Sequence, residues 1–135
     1  MISSLVVCQK ARRPSRYLIP EGYVGWINIY FEVKDAPAVT MEEKRNLFKI
    51  PSSGELKTSS SMEAGTASDD YYYYDESGHR RRLQSTDWGA GGMVWAESYG
   101  NDTEGRKYER FFVGTEAQLK NHGFKMDKQA GPIAR

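Results

Sequence analysis

Residues 25–33 (GWINIYFEV) constrain the fold most, because they alternate strictly between two kinds of side chain. Ile27 and Ile29 fall on one face of an extended chain, whereas Trp26 and Tyr30 fall on the other. A period of two in β-branched and aromatic residues predicts a strand, and the three- and four-residue spacing of a helix is absent. We therefore expect the aliphatic face to lie in the core of a β protein.

Other short stretches carry the same strand signature and are separated by turn-forming Pro, Gly and Asp. They comprise residues 16–19, 47–50, 55–59, 71–74, 79–84, 93–96 and 107–113. Residues 16–19 are expected to pair with the long strand, and residues 34–43 and 99–105 are expected to be a loop and a turn. Thr115 and Gln118 have the spacing of a capping box and predict one short C-terminal helix. The pattern predicts an all-β, antiparallel sandwich of about seven strands.

A chain of 135 residues is expected to form one domain, here residues 16–123, with a disordered or tether segment at 1–15 and a flexible tail at 124–135. The net charge of +1 gives no global field for nucleic acid or an anionic membrane. No apolar run approaches the roughly 20 residues of a transmembrane helix.

Cys8 is the single cysteine, so no internal disulfide can form. It follows the apolar residues Leu5, Val6 and Val7 and precedes a basic segment that contains Pro14. This arrangement resembles the end of a bacterial lipoprotein signal, although the apolar run is short and no positive segment precedes it. Cys8 is therefore a candidate for lipidation, and the alternative is a disordered start.

Two aromatic surfaces are candidates for ligand binding. Trp26 and Tyr30 could form a stacking platform, or could be covered by a second layer. The hairpin of residues 71–84 sets four tyrosines opposite arginines, which favours cation–π contacts, and the flanking acids at 69, 70, 75 and 76 offset its charge. The candidate ligand-binding residues are Trp26, Tyr30, Tyr71, Tyr73, Arg80 and Arg82.

No sequence pattern points to a metal, a cofactor or a catalytic residue. His79 and His122 have no ligand spacing, and the acids near the hairpin match no calcium loop, so a solvated turn explains them better. Ser98 lacks the first glycine of a nucleophile elbow, and residues 89–92 lack the lysine of a phosphate-binding loop.

Four motifs carry a family resemblance: YLIPEGYVGW at 17–26, FKIPSSGELKTSS at 48–60, YYYY followed by RRR, and RFFVGTE at 110–116. In this order they resemble an uncharacterised family of small bacterial proteins, many of which carry an export or lipoprotein signal. The resemblance implies a domain of unknown function. More loosely, the F-x-I-P-x-x-G pattern at 48–54 is similar to transthyretin-like sandwiches, so a transthyretin-like or immunoglobulin-like sandwich is expected.

Three functions remain open. The first is a non-enzymatic interaction module of the bacterial envelope, or a secreted one, that binds a protein or a glycan; membrane contact would come only through a lipid on Cys8. The second is a small enzyme with a site built from loops, for example from Asp69, Asp70, Glu97 or His79. The third, a single-stranded nucleic-acid binder that uses the tyrosine–arginine hairpin, is not favoured. A chain that truly starts at Met1 is expected in the cytoplasm.

Overall fold

The computed structural model describes residues 11–123, which form nine strands in two packed sheets and one helix. In chain order the elements are β1 (Ser15–Pro20), β2 (Gly25–Tyr30), β3 (Thr40–Glu42), β4 (Arg45–Lys49), β5 (Glu55–Lys57), β6 (Asp70–Tyr74), β7 (Arg80–Leu83), β8 (Val94–Asn101), β9 (Lys107–Val113) and α1 (Glu116–Asn121). The first sheet has the order β3-β4-β1-β6-β7 and the second β5-β2-β9-β8. The all-β sandwich is confirmed, with nine strands where about seven were predicted.

The sheets are mixed, whereas the sequence predicted purely antiparallel pairing. β1 runs parallel to both of its neighbours, β4 and β6, and β2 runs parallel to β5. The predicted pairing of β1 with β2 is wrong, because the turn after Pro20 carries the chain from the first sheet to the second. The turn at residues 51–54 does the same between β4 and β5. A tight turn cannot join parallel neighbours of one sheet. Each of these two turns instead joins a strand of the first sheet to a strand of the second.

The core lies between the sheets and confirms the predicted facing of β2, since Ile27 and Ile29 are completely buried. Aromatic side chains of the first sheet face these isoleucines across the core. The ring of Tyr17 on β1 stacks on Phe48 and Tyr71, with ring centres 5.2 and 4.9 Å apart. Aromatic pairs of this kind add about 0.5–1.5 kcal/mol each beyond the burial of their surface.

The four-tyrosine strand β6 alternates between the two faces of its sheet. Tyr71 and Tyr73 are only 6% and 3% exposed and pack in the core, whereas Tyr72 and Tyr74 are half-buried on the outer face. Tyr71 and Tyr73, which the sequence analysis named as candidate ligand-binding residues, thus face the core, and the sequence could not show this because a run of identical residues fits either register equally well. β7 pairs with β6 as predicted, and the Arg82 guanidinium lies 5.9 Å from the centre of the Tyr72 ring.

The C-terminal part follows the prediction closely. Thr115 caps α1, and both hydrogen bonds of the capping box with Gln118 are formed. Trp95 on β8 is 1% exposed and donates its indole N–H to the carbonyl of Gly114 at 2.8 Å. Phe112 and Leu119 complete a small apolar cluster with Trp95, so α1 covers one end of the outer face of the second sheet.

Two segments that the sequence predicted as a loop and a turn contain strand residues in the structure. β3 lies within the predicted loop at 34–43; it is a three-residue edge strand with no buried side chain, so it lacks an alternating signal. β8 extends to Asn101, into the predicted turn at 99–105.

At the N-terminus, Ala11 forms a bridge to Thr66, and Ser15 belongs to β1, so residues 11–15 join the domain. Residues 1–10, with Cys8, and the predicted tail at 124–135 lie outside the described residues.

Candidate functional site

β9 places a carboxyl group inside the sandwich. Glu109 shares the inward face of this strand with Phe111 and Val113, because side chains of a strand alternate. It is 2% exposed. From the facing sheet, Tyr17 Oη donates a hydrogen bond of 2.5 Å to Glu109 Oε2. Burying a carboxyl group costs free energy that a single phenol does not fully offset, so Glu109 is an unusual core residue.

A bulge in β8 brings a second carboxyl group to the same place. Trp95 pairs with Phe112 and Ser98 with Arg110, so two residues of β8 face one residue of β9. Ala96, within the bulge, has a positive φ of 58°. The extra residue reverses the alternation, so that Glu97, an exposed side chain of β8, lies on the side of Glu109, and its negative charge raises the pKa of Glu109.

Three phenols surround this acid pair, defined here as Glu97 and Glu109. Tyr17 bonds to Glu109, while the hydroxyl groups of Tyr71 and Tyr99 each lie 3.4 Å from Glu97 Oε2. Phenols donate hydrogen bonds to a carboxylate without adding charge. These phenols therefore place hydrogen-bond donors beside both acids but bring no positive charge to balance them.

Electrostatics at the acid pair favour a bound proton. Burial, and then the hydrogen bond and negative charge of Glu97, raise the pKa of Glu109 well above its usual value of 4.5, and the Tyr17 hydrogen bond only partly opposes this. Burial likewise raises the pKa values of Tyr17, Tyr71 and Tyr99, so these phenols keep their protons. Glu109 therefore keeps its proton to a higher pH than an exposed glutamic acid does.

No Lys, Arg or His side chain within residues 11–123 forms an ion pair with either member of the acid pair. Arg12, a cation at the same end of the sandwich as Glu109, is bound to Asp69 through both oxygens, at 2.9 and 2.6 Å. This bond raises the pKa of Arg12 further, and the Ser15 amide also donates to Asp69 at 2.8 Å. Arg12 is therefore committed to another carboxylate.

The acid pair lies between two surface openings. A cleft of about 320 Å³ at this end of the sandwich has Tyr17, Tyr99 and Glu109 in its lining. On the other side, a shallower groove of about 460 Å³ is lined by Asp69, Tyr71, Arg82, Glu97 and other residues. We call the first opening the open-end cleft. Convergent polar groups in a concave site of this kind are typical of ligand binding.

The predicted ligand-binding residues lie in four regions of the fold. Tyr71 and Arg82 lie at the groove beside Glu97. Tyr73 is in the core, where its hydroxyl donates to the carbonyl of Tyr23 at 2.6 Å. Arg80 lies on the outer face of the first sheet, where it forms a bidentate ion pair with Glu42.

Trp26 and Tyr30 lie together on the outer face of the second sheet, as the alternation predicted. Guanidinium groups cover their rings: Arg110 is 4.2 Å from the centre of Trp26, and Arg106 is 4.6 Å from that of Tyr30. The rings are thus half-buried beneath cations and do not form a bare stacking platform.

The arginines of the tyrosine hairpin are largely paired within the domain. Arg80 binds Glu42, and Arg81 binds Glu21 at 2.6 Å. The acids predicted to offset these charges act elsewhere: Asp69 and Asp70 bind Arg12 and Arg16, and Asp75 accepts bonds from residues 77 and 79 of its own turn. Few free cations are left on the hairpin for a nucleic-acid backbone.

Over residues 11–123, no group of three or more His, Cys, Asp or Glu side chains is arranged to hold a metal ion. His79 lies on the exposed hairpin turn, and His122 packs against Phe112 at the end of α1. In the same part of the chain, no helix has the length and apolarity needed to cross a membrane.

Glu109, Tyr17 and Tyr99 belong to the site but were not among the predicted residues. The sequence carried a signal for Glu109, because the predicted strand at 107–113 puts it on the face of Phe111 and Val113. It carried none for the position of Glu97, because the bulge that turns this side chain is centred on a non-glycine residue.

Comparisons with known proteins agree with the fold. No curated protein matches the chain. A crystal structure of a "putative lipoprotein" from Bacillus anthracis is similar, with a TM-score of 0.64 and 21% sequence identity, over 84% of this chain and 80% of that one. The model of a family of unknown function, DUF6843, matches residues 11–122. These residues make up most of the chain, which therefore belongs to the DUF6843 family.

Proposed function

We propose that this chain is a non-enzymatic binding domain of the bacterial cell envelope, and that its ligand enters the open-end cleft. The observation that carries the proposal is the buried carboxyl group of Glu109 in the lining of that cleft, where Tyr17 donates a hydrogen bond to it and no side chain of residues 11–123 forms an ion pair with it. A core that served stability alone would gain from an apolar residue at this position. Acids retained in a costly environment inside a concave site are typical of functional residues.

The envelope part of the proposal draws on two further observations. Cys8 follows an apolar stretch, as in a lipoprotein signal, and the similar structure from Bacillus anthracis is described as a "putative lipoprotein". Expression of the reading frame from its nearest upstream start in the natural host, followed by fractionation and mass measurement of the N-terminus, tests this part. We expect an acylated Cys8 in the membrane fraction and its loss in Cys8→Ala. A free Met1 in the cytosol contradicts the proposal.

The cleft part can be tested with soluble fragments of the cell wall, both peptide and glycan, titrated into isotope-labelled protein. Chemical-shift changes are expected around Tyr17, Tyr99 and Glu109. A Tyr99→Phe variant removes one phenol at the cleft, and Trp26→Ala on the distant outer face is its control. Changes centred on Trp26 instead would move the binding site to that face.

A second candidate function is acid–base hydrolysis, which the raised pKa of Glu109 beside Glu97 favours. A glycosidase would use two carboxyl groups on either side of the bond that it cleaves. Cleavage of wall fragments that disappears in Glu97→Gln would support an enzyme, and intact fragments after long incubation would not.

A further inference from the structure

The chain enters the domain at the same end of the sandwich as the open-end cleft. We call this end the open end. In the first sheet, β1, β4 and β6 run parallel and begin there. In the second sheet, β9 begins there, and its antiparallel neighbours β2 and β8 end there. Arg12 and Arg13, which precede β1, line the cleft itself.

Residues 11 and 12 are fixed to the domain, so the connection to Cys8 is short. Ala11 bridges to Thr66, and the Arg12 amide donates to the Thr66 carbonyl at 3.1 Å. Both oxygens of Asp69 bind the Arg12 guanidinium. Cys8 precedes Ala11 by three positions, and three residues span at most about 11 Å in a fully extended chain. A lipid on Cys8 therefore keeps the open end close to the membrane.

The open end also presents apolar surface to solvent. Met41 and Tyr99 line the cleft and are exposed. Tyrosine and methionine suit an interface that is apolar on one side and wet on the other. Val24 and Trp88 are exposed too, but they precede β2 and β8 and so lie at the opposite end. Exposure alone does not choose between the two ends, whereas the position of Cys8 does.

The charges at the open end indicate which kind of lipid surface fits. Arg12, Arg13, Arg106 and Lys107 each form an ion pair with an acid of the domain. These cations are already balanced, so they offer little attraction to anionic lipid. A zwitterionic phospholipid surface matches this balance.

We propose that the open end lies against the phospholipid surface to which Cys8 ties the chain, with Met41 and Tyr99 in the interface and the open-end cleft opening toward the lipid. This inference deepens the proposed function and rests on it, because it needs a lipid on Cys8. A ligand of the cleft is then one that is carried at the membrane surface. The opposite end, with the hairpin turn between β6 and β7, points away from the membrane.

The test couples the full chain through Cys8, its single cysteine, to a maleimide lipid in phosphatidylcholine nanodiscs that also contain a gadolinium-chelating lipid. The reporters are isotope-labelled methionine methyl groups: Met41 and Met62 at the cleft, and Met93 directly before β8 at the opposite end. Paramagnetic broadening falls with the sixth power of distance. Because the eight residues of β8 span roughly 25 Å, we expect Met41 and Met62 to be broadened at least about tenfold more than Met93.

A matched variant moves the anchor to the other end. Cys8→Ser combined with Ser77→Cys places the coupling site on the exposed hairpin turn between β6 and β7. Met93 should then be broadened more than Met41 and Met62, which verifies that the reporters detect either orientation.

A second pair of variants tests the contact at the rim of the cleft. In the chain coupled through Cys8, Tyr99→Ser removes apolar surface from the interface and should lower the broadening of Met62 by about twofold or more. Trp88→Ser removes an exposed aromatic ring at the opposite end and should leave it unchanged. Thermal unfolding verifies that both variants fold.

Equal broadening of the three methyl groups in the chain coupled through Cys8, or stronger broadening of Met93, would overturn the inference. Because the coupling is chemical, this outcome does not depend on whether the natural host acylates Cys8. A free Met1 in the cytosol is a separate result, which would overturn the proposed function and, with it, the membrane contact.

Discussion

The outer face of the first sheet and the open-end cleft both bury acidic side chains, but only the first supplies cations for them. Asp70, with a side chain 5% exposed, accepts two hydrogen bonds from Arg16, at 2.9 and 3.0 Å. Glu42 is bound by both Arg16 and Arg80. At the open end, Glu109 is more deeply buried than Glu42 and has only a phenol and another acid beside it.

This difference sets opposite protonation behaviour. Hydrogen bonds from Arg80 and Arg16 lower the pKa of Glu42 to about 2, whereas burial and then Glu97 raise the pKa of Glu109. The outer-face acids therefore form a closed network with no unsatisfied charge. Glu109 has no such partner among residues 11–123, which is why we propose that the ligand enters the open-end cleft.

The largest effect is expected from breaking the closed network. Asp70→Ala leaves the Arg16 guanidinium, with a side chain 11% exposed, without its main partner, so the free energy of unfolding should fall by about 3–5 kcal/mol. Urea denaturation measures this loss. Glu43→Ala is the control, since Glu43 also binds Arg16 but its side chain is 73% exposed; its loss should be below about 1 kcal/mol. Equal losses would show that burial does not control the strength of these pairs.

The open end should respond in the opposite direction. Glu109→Gln keeps an acceptor for Tyr17 and removes the ionisable group, so we expect the protein to gain on the order of 1 kcal/mol at pH 8, a typical size for one buried polar group. The midpoint of urea denaturation measures the gain. A large loss of stability in this variant would mean that Glu109 has a stabilising structural role.

The pH dependence of that gain sharpens the comparison. Because the folded state raises the pKa of Glu109 above 4.5, it binds the proton more tightly than the unfolded state. The cost is therefore absent below about pH 4.5 and grows as pH rises toward the pKa of the folded state. The stability difference between Glu109→Gln and the parent should widen from pH 4 to pH 8, and a constant difference would contradict the raised pKa of Glu109.

The smallest effect is expected at Glu42, with the reverse sign. A pKa lowered to about 2 contributes stability above about pH 4.5 and loses it as pH falls toward 2. Since the side chain is 29% exposed, Glu42→Gln should cost less than about 1 kcal/mol at pH 7 and nothing near pH 2. Thermal unfolding at both pH values tests it, and a cost that persists at pH 2 would rule out the ion pairs as its source.

Local chemistry made several elements predictable. The alternation at residues 25–33 predicted the buried face of β2, and Thr115 with Gln118 predicted the cap of α1, since each signal depends only on neighbours in the chain. The strand at 107–113 was predicted with its observed bounds. The candidate site was harder to predict, because Tyr17 lies on β1, far along the chain from Glu97 and Glu109 on β8 and β9.

What the sequence by itself determined is the class of fold and the faces of its clearest strands, because a period of two has one physical interpretation. The tertiary structure decided which turns cross between sheets, which tyrosines of residues 71–74 enter the core, and where Glu97 points. Register within a tyrosine run and parallel pairing depend on strands distant in the chain, and the bulge at Ala96 depends on how β8 pairs with β9. The acid pair exists only after those strands have packed, so its chemistry belongs to the fold.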